Sequence, residues 1–135
     1  MFNFDTPILI VDDMLTMRKL VAKALRGIGF TNITDAKNGN EAWEKLTSAE
    51  IPFGLVISDW MMPDLTGIDF LKRVRLDPRT RATPFLLLTA ESSKDNVAEA
   101  VTAGVSSYIV KPFTPDTLKK QLQAAYAKHQ GKTAA

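Results

Sequence analysis

The chain has 135 residues, of which 45% are hydrophobic and 24% charged, with 17 Lys and Arg against 15 Asp and Glu. This length and balance predict one domain that can bury a core without disulfides or a structural metal, and the absence of Cys excludes both disulfide-stapled and zinc-ribbon folds. Because the one imidazole, His129, lies near the carboxyl end, catalysis by Cys-His, Ser-His-Asp or multi-His metal sites is also excluded.

The charges are scattered along the chain, so the net charge of +2 does not indicate a nucleic-acid partner. The longest apolar runs, such as residues 8–11 and 85–88, are far shorter than the roughly 20 residues that span a bilayer. The amino end also lacks the basic and apolar regions of a signal peptide. We therefore expect no nucleic-acid partner, no membrane partner and a cytoplasmic location.

Five short apolar runs, rich in Val, Ile, Leu and aromatic residues, suit strands that are buried on both faces of a parallel sheet. In chain order, they are residues 8–11, 33–36, 55–58, 85–89 and 108–110. The segments that follow them have helical periodicity, most clearly the first. The predicted core-facing helix residues are Met17, Leu20, Val21, Ala24, Leu25 and Ile28; Ala42, Trp43 and Leu46; Leu65, Ile68, Leu71 and Val74; Val97, Ala98 and Val101; and Leu118, Leu122, Ala125 and Tyr126.

Turn and capping residues agree with these boundaries. Asn38 and Asp64 can begin helices, and Gly29 and Gly104 can end them. The alternation predicts a single α/β domain, a (βα)5 doubly wound five-stranded parallel sheet with helices on both faces. Its core covers roughly residues 6–128, a short tail covers 129–135, and the loop at 76–84 is expected to be a solvated connection.

Polar residues follow four of the five predicted strands. They are Asp12-Asp13 after the first strand, Asp59 after the third, Thr89-Ala90 after the fourth and Lys111-Pro112 after the fifth. Ligands of doubly wound sheets bind at the carboxyl ends of strands, near the point where the strand order reverses. We therefore expect three carboxylates, a hydroxyl and an ammonium group to lie close together.

Three neighbouring carboxylates repel one another and favour a hard cation such as Mg²⁺. With a metal present, one carboxylate can attack phosphorus and form an aspartyl phosphate, and Asp59 is the central candidate. Thr89 and Lys111 would then hold the remaining phosphoryl oxygens.

Each of these residues also has a simpler explanation. Asp12 and Asp13 could cap the first helix, Asp59 could sit in a turn, and Lys111 could be a solvated loop lysine. Their coincidence at separate strand ends favours a shared site. Competing phosphate sites are not indicated, because the chain has no P-loop motif, and Met61 occupies the position of the second Asp in a haloacid-dehalogenase-type phosphatase.

The motifs together resemble the receiver domain of two-component response regulators, and the likeness covers nearly the whole chain. The matching segments are residues 8–13, residues 58–64 with Gly67, Thr89-Ala90 and residues 111–113. Residues 16–18, 29–30, 58–60, 89–91 and Tyr108 make the chain most similar to the single-domain chemotaxis regulators of this family. The resemblance implies a flavodoxin-like fold.

The resemblance also assigns roles at the site. Asp59 is implied to accept a phosphoryl group from a histidine kinase or a small phosphodonor. Asp13, Asp59 and the backbone carbonyl of Met61 are implied to bind Mg²⁺, with Asp12 acting largely through water. The chain is then not an enzyme but a phosphoacceptor that assists its own phosphorylation and dephosphorylation.

A switch is implied as well. Thr89 would move toward the phosphoryl group while the ring of Tyr108 turns inward, which changes the face formed by the fourth helix, fifth strand and fifth helix. Lys111 would complete the charge network, and the Lys111-Pro112 bond is expected to be cis. The fourth helix is poor in large apolar residues, as expected for a helix that is loosely held.

With only a short segment after Phe113, we expect a stand-alone regulator without a DNA-binding domain, acting as a monomer that docks onto a partner. The implied partners are a chemotaxis-type histidine kinase, the flagellar motor switch protein and a phosphatase. Alternatives are a phosphate sink, a receiver outside chemotaxis, a phosphotransferase or phosphatase that acts on free substrates, and a scaffold that is never phosphorylated.

The chain departs from the family pattern at one of the two side chains that are expected to face the phosphoryl group. Met61 replaces the Asn of enteric relatives, and the other position is Glu91. We expect the apolar Met61 to change the access of the hydrolytic water.

Overall fold

The computed structural model describes residues 2–63, 65–90 and 94–134, with only the backbone described for 94, 95 and 129–134. The expected helix cap at Asp64 and the expected phosphoryl-facing side chain of Glu91 lie outside the described residues. Strands and helices alternate along the chain. They are β1 Ile8–Val11, α1 Leu15–Ile28, β2 Ile33–Ala36, α2 Gly39–Ser48, β3 Leu55–Asp59, α3 Gly67–Leu76, β4 Phe85–Thr89, α4 Lys94–Ala103, β5 Ser107–Val110 and α5 Pro115–Ala134.

All five strands are parallel, in the order β2-β1-β3-β4-β5. This order is shared with flavodoxin and other doubly wound proteins, and it reverses between β1 and β3. The predicted (βα)5 doubly wound sheet is therefore confirmed. The bounds of β1, β2 and β4 agree with the sequence prediction, while β3 and β5 are each one residue longer.

The central strands β1, β3 and β4 are buried on both faces because their side chains alternate between two apolar clusters, whereas the edge strands β2 and β5 are only partly buried. On one face Leu9, Val11 and Leu87 pack with the side chains of α2, α3 and α4. On the other face Ile8 and Ile10 pack with α1 and α5. The fold is thus a three-layer α/β/α arrangement.

The predicted helix faces are confirmed except at three residues, Leu20, Ala98 and Val101, which are exposed. Val21 and Leu25 of α1 are fully buried, but the side chain of Leu20 is 51% exposed. In α4, Ala100 is buried and Val101 is 58% exposed. A run of small residues does not specify the rotation of a helix as strongly as a stripe of large ones does, so α4 places a different side chain against the sheet.

Most of the expected caps are present. The side chain of Asn38 accepts a hydrogen bond from the Glu41 amide at 2.7 Å and begins α2. Gly29 and Gly104 have φ values of 131° and 91°, which favour glycine, after α1 and α4. Thr66 caps α3 through the amide of Asp69. The last helix continues to Ala134, beyond the expected end of the core near residue 128.

The connection between α3 and β4 is not simply solvated, contrary to the sequence expectation. The hydroxyl of Thr80 is buried and donates to the carbonyl of Val74 at 2.8 Å. Arg75 donates to the carbonyls of Arg81 and Thr83 in the same loop. The loop therefore has a defined conformation, fixed by hydrogen bonds to its own backbone. Among the described helices, none combines the length and the hydropathy that a membrane crossing requires.

Candidate functional site

The polar residues expected at the strand ends meet at one edge of the sheet, which we call the carboxyl edge. Asp12 and Asp13 follow β1, and Asp59 ends the adjacent strand β3. These three residues, the acidic cluster, each have a carboxylate oxygen within 4.8 Å of the others. Asp12 and Asp59 are buried, whereas Asp13 is exposed. The cluster lies at the point where the strand order reverses, where doubly wound sheets bind ligands.

Lys111 brings a positive charge to the acidic cluster from β5. Its Nζ donates a hydrogen bond to Asp59 Oδ1 at 3.1 Å and lies 3.8 Å from Asp12 Oδ2. The backbone amide of Lys111 donates to the carbonyl of Thr89 at 2.8 Å, which ties the ends of β5 and β4 together. The Lys111-Pro112 bond is cis, as expected. The simpler assignment of Lys111 as a solvated loop lysine is therefore wrong, because its ammonium group is paired with two carboxylates.

The two oxygens of Asp12 have different environments. Oδ1 accepts a hydrogen bond from the amide of Met14 at 2.9 Å. Met14, not an aspartate, is the N-cap residue of α1, and its side chain makes no capping bond. Asp12 Oδ2 is the one buried side-chain oxygen or nitrogen without a hydrogen-bond partner in the part of the chain that the structure describes. Capping therefore does not account for the Asp12 carboxylate.

Burial raises the pKa of Asp12 from its ordinary 3.8 to about 6. The negative charges of Asp59 and Asp13 act in the same direction, while the Met14 amide and the Lys111 ammonium oppose the shift. Asp12 therefore ionises less readily than an ordinary carboxyl in the ion-free protein.

The acidic cluster fits a divalent cation. Its donor set consists of oxygens alone, two of its carboxylates are buried, and Asp12 Oδ2 lacks a hydrogen-bond donor. Oxygen ligands of this kind suit Mg²⁺ better than Zn²⁺. Lys111 contributes one positive charge against three carboxylates. A bound cation would supply further positive charge.

A stability measurement at two pH values checks the state of Asp12. A carboxyl whose pKa is higher in the folded than in the unfolded state binds its proton more tightly when the protein is folded. The free energy of unfolding therefore falls as pH rises from the unfolded-state pKa through the folded-state pKa. In EDTA, we expect this one group to lower the free energy of unfolding by about 1 kcal/mol between about pH 5 and pH 7. Urea denaturation of the parent chain and of Asp12→Asn gives the comparison. A difference between the two proteins that does not change with pH would contradict the shift.

Thr89 and Tyr108 lie on the neighbouring strands. Thr89 ends β4 and is buried, one residue beyond Leu88, the register partner of Asp59. Tyr108 of β5 pairs with Leu87, is half-buried and packs against the apolar cluster that includes Ala100 of α4. By strand alternation, Thr89 is on the same face of the sheet as Leu87. The two expected switch residues therefore share the face that α4 covers.

Met61 is in the loop after β3, two residues from Asp59, and its side chain is 72% exposed. The neighbouring Trp60 is half-buried, and its amide donates to the carbonyl of Leu88 at 2.9 Å. The structure thus places an exposed apolar side chain in the loop that directly follows Asp59.

Gly67 was matched only as a motif residue by sequence, yet it supports the backbone of the site. Its amide donates to the carbonyl of Trp60 at 2.8 Å, and a Cβ at this position would lie 2.1 Å from the carbonyl oxygen of Asp59. Arg18 was also missed as a site neighbour, although its Nη1 donates to the carbonyl of Asp12 at 2.8 Å. A lone Gly or Arg carries no sequence signal for such backbone contacts.

Comparisons with known proteins agree with this arrangement. The chain is 44% identical over 124 residues to the chemotaxis protein CheY of Pseudomonas aeruginosa, covering 92% of this chain and 98% of that protein. It is 43% identical over 116 residues to the chemotaxis protein CheY1 of Helicobacter pylori, covering 86% and 93%.

Solved structures give the same result for the fold. Chemotaxis response regulator CheY4 of Vibrio cholerae superposes with a TM-score of 0.81 at 37% identity, covering 90% of this chain and 98% of that one. A response regulator receiver domain protein of Clostridium thermocellum has a TM-score of 0.81 at 26% identity, covering 96% and 98%. Residues 8–123 match the family described as the response regulator receiver domain. The chain therefore belongs to the receiver domains of response regulators in two-component systems, and it is of the CheY type.

Proposed function

We propose that this chain is a phosphoacceptor switch whose acceptor is Asp59. The observation that carries the proposal is the environment of the Asp59 carboxylate. One of its oxygens accepts a hydrogen bond from Lys111, and two further carboxylates lie within 4.8 Å at the carboxyl edge. This arrangement can bind a cation on one side of a phosphoryl group and supply an ammonium group on the other.

Phosphoryl transfer uses Asp59 as the nucleophile. A carboxylate oxygen forms a bond to phosphorus while the phosphorus–nitrogen bond of a phosphohistidine on the kinase breaks, and the leaving imidazole takes up a proton from solvent. Lys111 Nζ, already 3.1 Å from Asp59 Oδ1, pairs with the phosphoryl oxygens, and the Thr89 hydroxyl donates to another. In hydrolysis, water attacks phosphorus, the bond to Asp59 breaks, and inorganic phosphate is released.

The cation expected here is Mg²⁺, which would neutralise charge on the phosphoryl oxygens. Asp13, Asp59 and the backbone carbonyl of Met61 would hold it, with Asp12 acting largely through water. Asp12 Oδ2 supports this assignment, because this buried oxygen accepts no hydrogen bond and shares the Lys111 ammonium, 3.8 Å away, with Asp59.

The output face is the surface formed by α4, β5 and α5. Phosphorylation adds up to two negative charges and can shift an element whose two states differ by a few kcal/mol. Helix α4 suits this role, because its contact with the sheet is made through small residues such as Ala100 while Val101 is exposed. Tyr108 packs in the same apolar cluster, so movement of Thr89 and Tyr108 would be transmitted to α4.

The proposed partners are a chemotaxis-type histidine kinase and the flagellar motor switch protein, with a phosphatase that ends the signal. The similarity to chemotaxis proteins supports the pathway. Beryllofluoride with Mg²⁺ mimics the phosphorylated state, so we expect it to tighten binding to isolated motor switch protein. Equal binding with and without beryllofluoride would instead favour a phosphate sink or a receiver outside chemotaxis.

A labelling experiment tests the acceptor. We incubate the chain with acetyl phosphate and Mg²⁺ and measure intact mass. One phosphoryl group is expected on the parent chain and on Asp69→Asn, a control at an exposed aspartate of α3, and none on Asp59→Asn or in EDTA. Label on Asp59→Asn would contradict the assignment. Release of many phosphates per chain would favour an enzyme acting on free substrates, and the absence of any label would favour a scaffold.

The side chain at position 61 is expected to slow the loss of the phosphoryl group. Met61 can neither donate nor accept a strong hydrogen bond, so it cannot orient the attacking water as an amide can. We expect Met61→Asn to speed dephosphorylation a few-fold, measured as phosphate release after the donor is removed. Ile51→Asn is the matched control, because Ile51 is equally exposed at 72% and precedes β3 at the opposite edge of the sheet. Equal rates for Met61→Asn and the parent chain would rule out this effect.

A further inference from the structure

Arg18 of α1 contacts the backbone of the acidic cluster although it is not a candidate ligand. Its Nη1 donates to the carbonyl oxygen of Asp12 at 2.8 Å, and its Nε donates to Asp35 Oδ2, also at 2.8 Å. Only 14% of the Arg18 side chain is exposed, so the guanidinium is largely withdrawn from solvent. One planar group therefore joins α1, the end of β1 and the edge strand β2.

The other polar groups of Asp12 are held as well. Its amide donates to the carbonyl of Ala36 at 3.2 Å, and its Oδ1 accepts from the amide of Met14. With Arg18 on the carbonyl oxygen, three contacts from β2 and α1 fix the backbone and one carboxylate oxygen. Only Oδ2 is left without a hydrogen-bond partner, and it lies on the side of Lys111. The direction of this oxygen is thus set by contacts outside the acidic cluster.

Asp35 braces the guanidinium from β2. Asp35 pairs in register with Ile10, two residues before Asp12, and its backbone carbonyl accepts a hydrogen bond from Lys45 of α2 at 2.6 Å. Because Nη1 is engaged by the Asp12 carbonyl and Nε by the Asp35 carboxylate, the arginine cannot follow a displaced Asp12 without losing a partner. Two separate donor nitrogens on one planar group are specific to arginine, since a lysine has a single nitrogen.

We propose that Arg18, braced by Asp35, is a positioning residue for the cation site. It fixes the Asp12 backbone so that Oδ2 is directed into the acidic cluster before the ion arrives. The inference rests on the proposed function, because it concerns the same cation. Groups that orient metal ligands from behind typically affect metal affinity by about 10-fold or more, so the effect should be measurable without any phosphoryl transfer.

The test is a Mg²⁺ titration by calorimetry, repeated with Trp60 emission as a second readout beside the site. We compare Arg18→Ala, Arg18→Lys and Asp35→Asn with the parent chain. The matched control is Arg79→Ala, which removes an arginine whose guanidinium lies 2.8 Å from Asp77 in the loop between α3 and β4. This control loses the same charge and a comparable ion pair without contact to Asp12.

We expect Arg18→Ala to weaken Mg²⁺ binding about 10-fold, with smaller losses in Arg18→Lys and Asp35→Asn and none in Arg79→Ala. If Arg18→Ala does not fold, the other two variants carry the test. Affinities of the Arg18 and Asp35 variants within a factor of about two of the parent chain would overturn this inference alone. A parent chain that binds no Mg²⁺ would overturn the cation site of the proposed function and the inference with it.

Discussion

Gly67→Ala is expected to lower the free energy of unfolding by about 3 kcal/mol and to abolish labelling of Asp59, because it forces two backbone segments apart. A Cβ at position 67 would lie 2.1 Å from the carbonyl oxygen of Asp59 and 2.9 Å from the Cα of Trp60. Both neighbours are backbone atoms at the end of β3, so no side-chain rotation relieves the contact. The hydrogen bond from the Gly67 amide to the Trp60 carbonyl would be lost as the loop moves.

The control for Gly67→Ala is Gly27→Ala in the last turn of α1. Beyond its own stretch of helix backbone, a Cβ there meets nothing within 4 Å, and alanine is the better helix former by up to about 1 kcal/mol. We therefore expect Gly27→Ala to leave stability unchanged or raised, with full labelling. Urea denaturation and intact mass after treatment with acetyl phosphate measure both effects. A Gly67→Ala chain with the stability and the labelling of the parent would show that the backbone at Asp59 tolerates displacement.

Arg75→Met is expected to destabilise the fold strongly without touching the carboxyl edge. The guanidinium donates to the carbonyl of Gly104 at 2.9 Å, to that of Thr83 at 2.5 Å and to the hydroxyl of Ser106 at 3.3 Å. It also donates to the Arg81 carbonyl, so one side chain joins α3, the loop before β4 and the segment between α4 and β5. Burial lowers its pKa to about 10, which leaves it charged at neutral pH.

Removing this guanidinium leaves several partly buried acceptors without a donor. Each such group costs about 1–3 kcal/mol, and some regain water, so we expect a total loss of about 3 kcal/mol in the free energy of unfolding. Arg79→Met, which removes an exposed pair with Asp77, should change stability little. Asp59 should still be labelled at a temperature where the Arg75→Met chain is folded. A stability equal to that of Arg79→Met would contradict the account of this loop.

The fold was predictable because its signals are local. Residues 8–11 and 85–89 are short apolar runs, and the observed strands agree with them because parallel strands buried on both faces need continuous apolar sequence. The rotation of α4 was not predictable, because Val97, Ala98 and Val101 offer no dominant apolar stripe. The defined loop before β4 was missed for a different reason. Arg75, which donates to this loop, also donates to Gly104, 29 positions away in the sequence. No local sequence pattern predicts such a contact.

The site was predictable as a set of residues but not as a geometry. The order Asp12-Asp13, Asp59, Thr89 and Lys111 at strand ends was visible in the sequence, and the structure brings the three aspartates and Lys111 together. Sequence alone could not separate capping from ligand binding at Asp12. The structure separates them, since the N-cap of α1 is Met14 rather than Asp12, and Asp12 Oδ2 has no hydrogen-bond donor. The contacts of Gly67 and Arg18 with the backbone of the site could not be predicted, because contacts to backbone carbonyls leave no signal in the sequence.

The most direct measurement of the central claim locates the phosphoryl group. Because Asp12 and Asp13 have carboxylate oxygens within 4.8 Å of one in Asp59, a loss of label in Asp59→Asn could also arise from a disturbed neighbour. Reduction of the acyl phosphate with borohydride, followed by peptide mass spectrometry, identifies the modified residue in the unaltered chain. We predict a single modified residue, Asp59, formed only when Mg²⁺ is present. Modification of Asp12, Asp13 or any other residue in place of Asp59 would contradict the account.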